Sequence, residues 1–443
     1  RHEEYFLFAN ITKTKPYRTK HSMKKILTQC FRGLPALALL WQTGAIQPQA
    51  VEDPVNLLVH WNFDDNSDPD TTADLVYGIV GDLENGATYS PSGDGHTGQS
   101  GDLAMDFGMD SAQQLVRIFN GELLNIAGER DQMTVTFWQQ LDEVASTSSY
   151  WMESPSSNGT ARGNQAHVPW GNSNIYFDTA GCCTVPTQRL NALFDAGFPD
   201  YYDGFFLDWH HFAFVKDGTD KRVYIDGVLF MENTGANPLP TDFVQMTIGA
   251  AVDASNSIHG RMDEFAVFSG TLDEDAIMAL VDGTAPEDLP GVEIIPPVAP
   301  AIAEHPQDDT QEDGTGPVTF SVSAAPGAFP TPTYQWMRDG TAIEGATGAS
   351  YTLVRVDISA DNGAKFSCVV SNAGGSATSD EATLTVTESI SPPELVEAWG
   401  NGSFDRVTVQ YSKPVDAATA EDPSNYAIAG LTISDATQNG FPD

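Results

Sequence analysis

The sequence predicts an all-β protein built from β-sandwiches. From residue 55 to 285, short alternating runs of Val, Ile, Phe, Tyr and Trp are separated by Gly, Asn and Asp, which is the pattern of short paired strands. Residues 209–227 contain an apolar strand, an Asp-Gly turn, a second alternating strand and another Asp-Gly turn, the strongest local sign of a β-hairpin. Only residues 273–281 have a convincing helical pattern, with Thr271 or Asp273 as the candidate cap.

The N-terminal part has the order of a secretory signal peptide over residues 23–50. A basic start at residues 23–25 is followed by a short apolar run at 34–41 and then by small residues. That apolar run is too short to span a bilayer stably. Residues 1–22 are interpreted as an over-extended start, with a disordered basic N-terminus as the alternative. We therefore expect an exported, extracellular or cell-surface protein with no membrane insertion after cleavage.

The charge of the chain is strongly acidic and unevenly distributed. The net charge is −40, and beyond residue 50 only 13 Lys and Arg stand against 59 Asp and Glu. Nucleic acid and anionic membrane surfaces are excluded as partners, because binding phosphate needs clustered basic residues. The carboxylates keep an exported protein soluble and offer oxygen ligands for Ca²⁺. For most of these carboxylates, adaptation to salt water explains their presence at least as well as calcium binding does.

Three cysteines, Cys182, Cys183 and Cys368, lie beyond the predicted signal peptide. An odd number in an exported protein permits at most one intrachain pair. Zinc is disfavoured at the adjacent pair, because structural zinc sites usually separate their cysteines by two to four residues. Buried thiols or a strained vicinal disulfide remain open, so the domains must depend mainly on apolar cores.

Three segments carry a resemblance to a known family: the strand 57–64, the hairpin 209–227 and the strand 260–268. In this order and spacing they resemble laminin-G-like (concanavalin A-like lectin/glucanase) jelly-roll domains. The resemblance implies a jelly-roll β-sandwich over residues 51–285, with a short helix after its last strand. It also implies a module that binds ligands outside the cell.

A Pro- and acid-rich linker is predicted at residues 286–300, and a second domain at 301–388. The segment 334–340, with Trp336, and the segment 361–375 resemble those of an immunoglobulin-like domain. The resemblance implies that Trp336 is the buried tryptophan of this fold. The usual disulfide is not possible here, because Cys368 faces a strand without cysteine.

The last segment, 389–443, resembles a bacterial Ig-like repeat of surface proteins through residues 407–416 and 425–428. About half of such a repeat is present. Strands that lack their partners leave exposed edges and a thin core. We expect this truncated repeat to be poorly ordered as it stands and complete in the parent gene.

The first candidate site is a structural calcium site formed by Asp64, Asp65 and Asp263. In the family, the first and last strands of the sandwich are antiparallel neighbours, which brings Asp64 and Asp65 close to Asp263. Asp263 shares the inward strand parity of Phe265, and a buried carboxylate requires a partner. Laminarinase-type glucanases carry a structural calcium where an aspartate opens the last strand, which implies this role for Asp263. The alternative is a carboxylate that accepts backbone N–H bonds or pairs with Arg261.

The second candidate site is the loop region 167–183, where Trp170, Asn172, Asn174 and Tyr176 are the candidate ligand-binding residues. Sugar recognition uses an aromatic face for the C–H surface of the ring and amide groups for its hydroxyls. A His-Val-Pro-Trp…Ile-Tyr-Phe-Asp segment is similar to that of laminin-G-like domains on large exported bacterial proteins. The alternative is an ordinary strand beside a tryptophan that packs a loop.

The sequence contains no catalytic constellation. Glucanases of this superfamily carry Glu-x-Asp-x-x-Glu on one strand, because retaining hydrolysis needs two carboxyls about 5 Å apart; residues 51–285 lack that pattern. The leading hypothesis is an exported, non-catalytic binding or adhesion module for a glycan or surface ligand, with Ig-like spacers. The alternatives are an accessory region of a larger polysaccharide-degrading enzyme and a purely structural adhesin segment.

Overall fold

The computed structural model describes residues 54–108, 113–195, 197–198, 201–202, 204–390, 394–400, 406–411, 421–426, 432 and 435–437. The predicted signal peptide and the predicted over-extended start lie outside the described residues. No helix in the described part of the chain is long and apolar enough to cross a membrane.

Two facing sheets form the first domain, with nine and eight strands within the described residues. The first sheet contains β1 (Val55–Trp61), β4 (Thr88–Tyr89), β5 (Met105–Asp106), β7 (Gln132–Leu141), β12 (His210–Asp217), β13 (Asp220–Ile225), β14 (Val228–Thr234), β16 (Gly260–Ser269) and β17 (Val292–Glu293). The second sheet contains β2 (Thr71–Ala73), β3 (Val80–Glu84), β6 (Leu115–Ile118), β8 (Tyr150–Glu153), β9 (Arg162–His167), β10 (Asn174–Thr179), β11 (Arg189–Leu193) and β15 (Gln245–Ile248).

The strand order is β14-β13-β12-β7-β16-β1-β17 in the first sheet and β11-β10-β9-β8-β15-β6-β3-β2 in the second. The core between the sheets is aromatic at its centre. Phe137 stacks on Phe214 and Phe265 with ring centroids 5.8 and 6.1 Å apart, and Tyr150 from the second sheet meets Phe137 edge-on at 6.1 Å. Because buried aromatic side chains contribute the largest apolar areas, these rings anchor the two sheets to each other.

The short helices of the described residues are α1 (Asn125–Arg130), α2 (Asn158–Ala161), α3 (Glu274–Val281) and α4 (Ile358–Asp361). The 3₁₀ turns are Glu122–Leu124, Phe205–Leu207, Pro286–Asp288 and Pro423–Asn425. The helix predicted at 273–281 is confirmed as α3, where the Asp273 side chain accepts a hydrogen bond from the Ala276 N–H. Ile277 and Leu280 of α3 are buried against the outer face of the first sheet. The helix therefore covers a second, smaller apolar layer.

The first and last long strands of the sandwich are antiparallel neighbours, as the resemblance implied. Trp61 of β1 pairs with Phe265 of β16, and Asn56 pairs with Ser269. On its other edge β1 pairs in parallel with β17, which lies in the segment predicted as a linker. The first part of that segment thus extends the first sheet.

The second domain is an immunoglobulin-like sandwich. Its strands are β18 (Ile302–Glu304), β19 (Asp309–Glu312), β20 (Val318–Ser321), β21 (Ser323–Ala324), β22 (Thr333–Arg338), β23 (Thr341–Ala342), β24 (Ser350–Leu353), β25 (Lys365–Asn372), β26 (Gly375–Thr378) and β27 (Ala382–Thr387). Trp336 is wholly buried, as predicted, and Phe320 stacks on Phe366 at 4.6 Å. Cys368 is a buried free thiol, so apolar packing replaces the usual disulfide.

Within the described residues, the two domains meet at an aromatic contact in the compact unit Asp53–Asp443. Tyr77 of the jelly-roll meets Phe329 edge-on at 5.4 Å, and its hydroxyl donates to the Ile295 carbonyl oxygen at 2.9 Å. Further along, β28 (Leu395–Gly400) and β29 (Val407–Tyr411) form an antiparallel hairpin. The side chains of β28 are exposed.

A candidate ligand-binding cavity on the second sheet

The outer face of the second sheet carries a cavity of about 360 Å³. Side chains alternate along a strand, so residues next to core positions such as Ala166 and Phe177 must point away from the core. The strands and their loops contribute these lining side chains: Trp151, Arg162, His167, Trp170, Tyr176 and Arg189. The opposite wall is the loop 251–256, which contributes Asp253, Ser255 and Asn256. The volume lies within the roughly 300–1,000 Å³ range of small-molecule sites.

Strand register places distant residues side by side on this face. Trp151 pairs with Gln165, Gln165 pairs with Asp178, and Asp178 pairs with Arg189. Directly opposite residues of an antiparallel pair have neighbouring side chains. One polar row therefore runs across β8, β9, β10 and β11 under the cavity.

Asp178 is the electrostatic centre of this row. Its carboxylate is wholly buried and pairs with Arg162 at 2.5 Å and with Arg189 at 2.6 Å. The hydrogen bond with Asp178 raises the pKa of Arg189, whereas burial lowers the pKa of Arg162. One carboxylate thus holds two guanidinium groups at the cavity floor.

Lys221 adds a third cation behind the sheet. Its ammonium group donates to the carbonyl oxygens of Gln188 at 2.7 Å and Phe177 at 3.3 Å. Burial lowers the pKa of Lys221 to about 7. The region around Asp178 therefore contains more cationic groups than carboxylates.

Both arginines cover aromatic rings. The guanidinium carbon of Arg162 lies 4.5 Å from the ring centre of Trp151, and that of Arg189 lies 4.5 Å from the ring centre of Tyr176. Such cation–π contacts fix the planar guanidinium groups over the rings. The third lining aromatic residue, Trp170, is half-buried, and no cation of the described residues lies over its ring.

His167 orients Trp170. Burial lowers the pKa of His167 to about 4, so the ring is neutral at physiological pH. Its Nδ1 donates to the Thr147 carbonyl oxygen, which leaves Nε2 to accept from the Gln165 amide. The Trp170 ring meets the imidazole edge-on at 4.5 Å. Trp170 is thereby held by a ring that does not change charge near neutral pH.

The structure brings together two of the four predicted ligand-binding residues. Trp170 and Tyr176 line the cavity, whereas Asn172 and Asn174 are not among its lining residues. The Asn172 amide donates to the Tyr176 hydroxyl oxygen at 3.1 Å, and its side-chain oxygen accepts from the Asn174 N–H at 3.1 Å. The asparagines therefore shape the turn between Trp170 and Tyr176.

Three buried polar atoms at this site have no hydrogen-bond partner within the described residues. They are Nε1 of Trp151, Nε of Arg162 and Oε1 of Gln165. Buried polar groups are usually paired, so each unpaired one requires an explanation. Trp151 and Arg162 also line the cavity, and both unpaired atoms there are donors.

A disulfide joins the adjacent residues Cys182 and Cys183, which is one of the alternatives left by the sequence. Cys183 lies on the cavity wall.

The region of the predicted calcium site centres on the buried carboxylate of Asp263. Asp263 is wholly buried, and burial raises its pKa to about 6. It accepts from the backbone N–H and Nδ1 of His96, both at 2.9 Å, and from the Glu264 N–H at 2.8 Å. Arg261 instead approaches Asp106 at 3.5 Å. The backbone-bonded alternative is thus the arrangement seen for this carboxylate.

His96, Asp102 and Asp263 bring one ligand atom each within 4.8 Å of one another. Asp64 lies nearby and accepts from the Leu103 N–H at 2.9 Å, while the exposed Asp65 accepts from Ser67. Ca²⁺ takes six to eight oxygen ligands, and an imidazole nitrogen is not among those it prefers. The carboxylates suit a hard cation but His96 does not, so calcium at Asp64, Asp65 and Asp263 stays a prediction.

Comparison with known families agrees with this architecture. Residues 119–278 match the family model of the concanavalin A-like lectin/glucanases superfamily, and residues 315–386 match the immunoglobulin domain. The chain is thus a β-sandwich protein in which a concanavalin A-like domain is followed by an immunoglobulin domain. No curated protein matches the chain.

Solved structures with a similar arrangement of strands are distant. Domain 4 of AbnA, an extracellular arabinanase from Geobacillus stearothermophilus in complex with arabinotriose, is 17% identical to this chain. The match covers 52% of this chain and 100% of that chain, with a TM-score of 0.36. The binding domain of botulinum neurotoxin DC in complex with rat synaptotagmin II is 12% identical, with 82% and 80% covered at a TM-score of 0.39. At these values they add nothing to the two family matches.

Proposed function

We propose that the protein is an exported, non-catalytic binding module that holds a carbohydrate in the cavity on the second sheet. The observation that carries this proposal is the cavity of about 360 Å³ whose lining combines Trp170 with the hydrogen-bond donors of Arg162, Arg189 and Asn256. A sugar ring offers C–H groups to an aromatic face and oxygens to such donors.

The family match supports a binding role, because it lies in a superfamily of lectins and glucanases. Among the described residues, Asp253 is the one carboxylate of the cavity lining, and its side chain is bonded to the Ser255 hydroxyl and N–H. Hydrolysis by the usual route needs two carboxyls that flank the bond. We therefore assign binding rather than cleavage to this cavity.

The remaining parts of the proposal concern location and support. The secretory-type segment 23–50 supports export to the cell surface or beyond. The immunoglobulin domain acts as a spacer that holds the binding domain away from its attachment. A structural Ca²⁺ held by Asp263 would join the ends of β1 and β16, with Asp64 and Asp65 as the further carboxylate ligands.

The test is glycan binding by the full chain and by two matched tryptophan variants. A glycan array identifies ligands, and isothermal titration calorimetry measures the dissociation constant Kd. Trp170→Ala removes the aromatic wall, and we expect Kd to rise about tenfold or more because a stacked aromatic contact is lost. Trp399→Ala is the matched control, since Trp399 is 47% exposed on β28 and lies outside the cavity.

Binding that survives Trp170→Ala unchanged would place the site elsewhere. An array without any bound glycan would refute the carbohydrate assignment itself. Release of reducing sugar from a bound polysaccharide would contradict the non-catalytic part of the proposal.

A further inference from the structure

We infer that the cavity on the second sheet recognises an anionic group, a carboxylate or a sulfate, on an acidic polysaccharide. This inference rests on the proposed function, because it assigns the charge of the ligand to the same site. It follows from three features of Arg162 and Arg189: what they cover, which charges surround them, and which of their donors lack partners.

The first feature is that the guanidinium groups hide two of the three aromatic faces. Arg162 lies over Trp151 and Arg189 over Tyr176, each at 4.5 Å, and Trp151 is only 3% exposed. A ligand that enters the cavity therefore meets two guanidinium groups rather than the open faces of these rings. Guanidinium edges match the geometry of carboxylate and sulfate oxygens.

The second feature is the balance of charge. Arg162 and Arg189 are two of only 13 basic residues beyond residue 50, yet both pair with the single carboxylate of Asp178. At the rim, the Asp253 carboxylate is engaged by both the hydroxyl and the N–H of Ser255. In a chain of net charge −40, such a concentration of cations distinguishes this site from the surrounding surface.

The third feature is the pair of unmatched donors. Nε of Arg162 and Nε1 of Trp151 are buried and have no acceptor within the described residues. An anionic oxygen is the strongest acceptor for such groups. A neutral sugar would supply hydroxyls to them but would leave the excess cationic charge unbalanced.

The experiment compares charged ligands with chemically matched neutral ones on the full chain. The probes are an oligogalacturonate and its methyl ester, and a sulfated galactan oligosaccharide and its desulfated form. Calorimetry at low and moderate salt gives Kd for each. We expect the anionic member of at least one pair to bind about tenfold or more tightly, and its binding to weaken as salt is added.

Two sets of variants test the residues. Arg189→Gln removes one guanidinium, and we expect anion affinity to fall about tenfold, while Arg189→Lys keeps the charge but loses the planar fork and falls less. Asn256→Asp adds a carboxylate to the cavity wall with almost no change of shape. We expect Asn256→Asp to weaken anion binding, and the surface control Asn233→Asp on β14, which lies outside the lining, to leave it unchanged.

Each outcome decides the question. Preference for the uronate or for the sulfated probe supports the inference and identifies the source of the charge. Equal binding of charged and neutral members overturns it and leaves the proposed carbohydrate function intact. No binding to either member of both pairs, together with a negative glycan array, overturns both. If Arg189→Gln unfolds, the response of the folded Asn256→Asp variant decides.

Discussion

The substitution Asp178→Asn tests whether the cavity floor is held by one buried charge. The carboxylate is wholly buried, and it accepts from Arg189 Nε at 2.7 Å and NH2 at 2.6 Å and from Arg162 NH1 at 2.5 Å. Asparagine keeps the shape and one acceptor oxygen but removes the charge. Two guanidinium groups would then share a partly buried site without a counterion.

The size of the effect follows from this geometry. Replacing one partner of a buried ion pair lowers the free energy of unfolding by about 3–5 kcal/mol. Because asparagine keeps one acceptor oxygen, we expect Asp178→Asn to cost about 3 kcal/mol, the lower end of that range. In a domain of this size, 1 kcal/mol lowers the melting temperature Tm by roughly 2–4 °C. We therefore expect the Tm of the jelly-roll transition to fall by about 6–12 °C.

Differential scanning calorimetry of the full chain measures this fall. The matched control is Asp94→Asn, because Asp94 is 43% exposed and lies 3.9 Å from Arg261; an exposed pair of this kind contributes about 0–1 kcal/mol. The reasoning is refuted if Asp178→Asn lowers Tm no more than Asp94→Asn does.

Three further predictions concern pH, calcium and the second domain. Burial alone lowers the pKa of His60, but hydrogen bonds to its two glutamate partners outweigh burial and raise it from 6.5 to about 9. Its stabilising contribution is therefore complete below pH 6.5 and lost as pH rises through about 9; superimposable Tm–pH curves of the wild type and His60→Gln would rule this out. A free calcium concentration about 100 times the Kd should raise the Tm of the jelly-roll transition by about 5–10 °C over its value in EDTA. Asp263→Ala should abolish that shift, and no shift in the wild type would refute the calcium site. Trp336→Ala should destabilise the immunoglobulin domain by about 3–5 kcal/mol, measured from the calorimetric transition of that domain. The control Trp399→Ala should change the stability of that domain by less than about 0.5 kcal/mol. Equal effects of the two substitutions would contradict the assigned core.

Much of the fold could be predicted because its signals are local. Alternation and Asp-Gly turns mark the hairpin of β12 and β13, and Asp273 marks the start of α3. Trp336 could be placed in a core because its neighbours carry the pattern of an immunoglobulin strand. These features depend on residues that are close together in the chain.

The candidate site could be predicted only in part, because its charges come from different strands. Trp170 and Tyr176 were found from the aromatic content of one loop. Trp151, Arg162 and Arg189 were missed, since only the register of β8 to β11 makes them neighbours. The signal present in the sequence was weak: Trp151 and Arg189 lie next to apolar core positions on their strands, and nothing local marks Arg162.

The calcium region shows the same limit. Adjacency of β1 and β16 was predicted and placed Asp64 near the start of β16. His96 was missed because it lies in the loop before β5, and nothing in its local sequence connects it with Asp263. The imidazole of His96 lies 2.9 Å from the Asp263 carboxylate and is a side-chain partner of Asp263.

The most direct test of the central claim is hydroxyl-radical footprinting of the full chain with and without its best-binding glycan. Trp170 lines the cavity, whereas Trp399 is 47% exposed on a separate hairpin. We predict that bound glycan protects Trp170 from oxidation and leaves the oxidation of Trp399 unchanged. Saturating glycan with no protection of Trp170 would contradict the assignment of the cavity as the binding site.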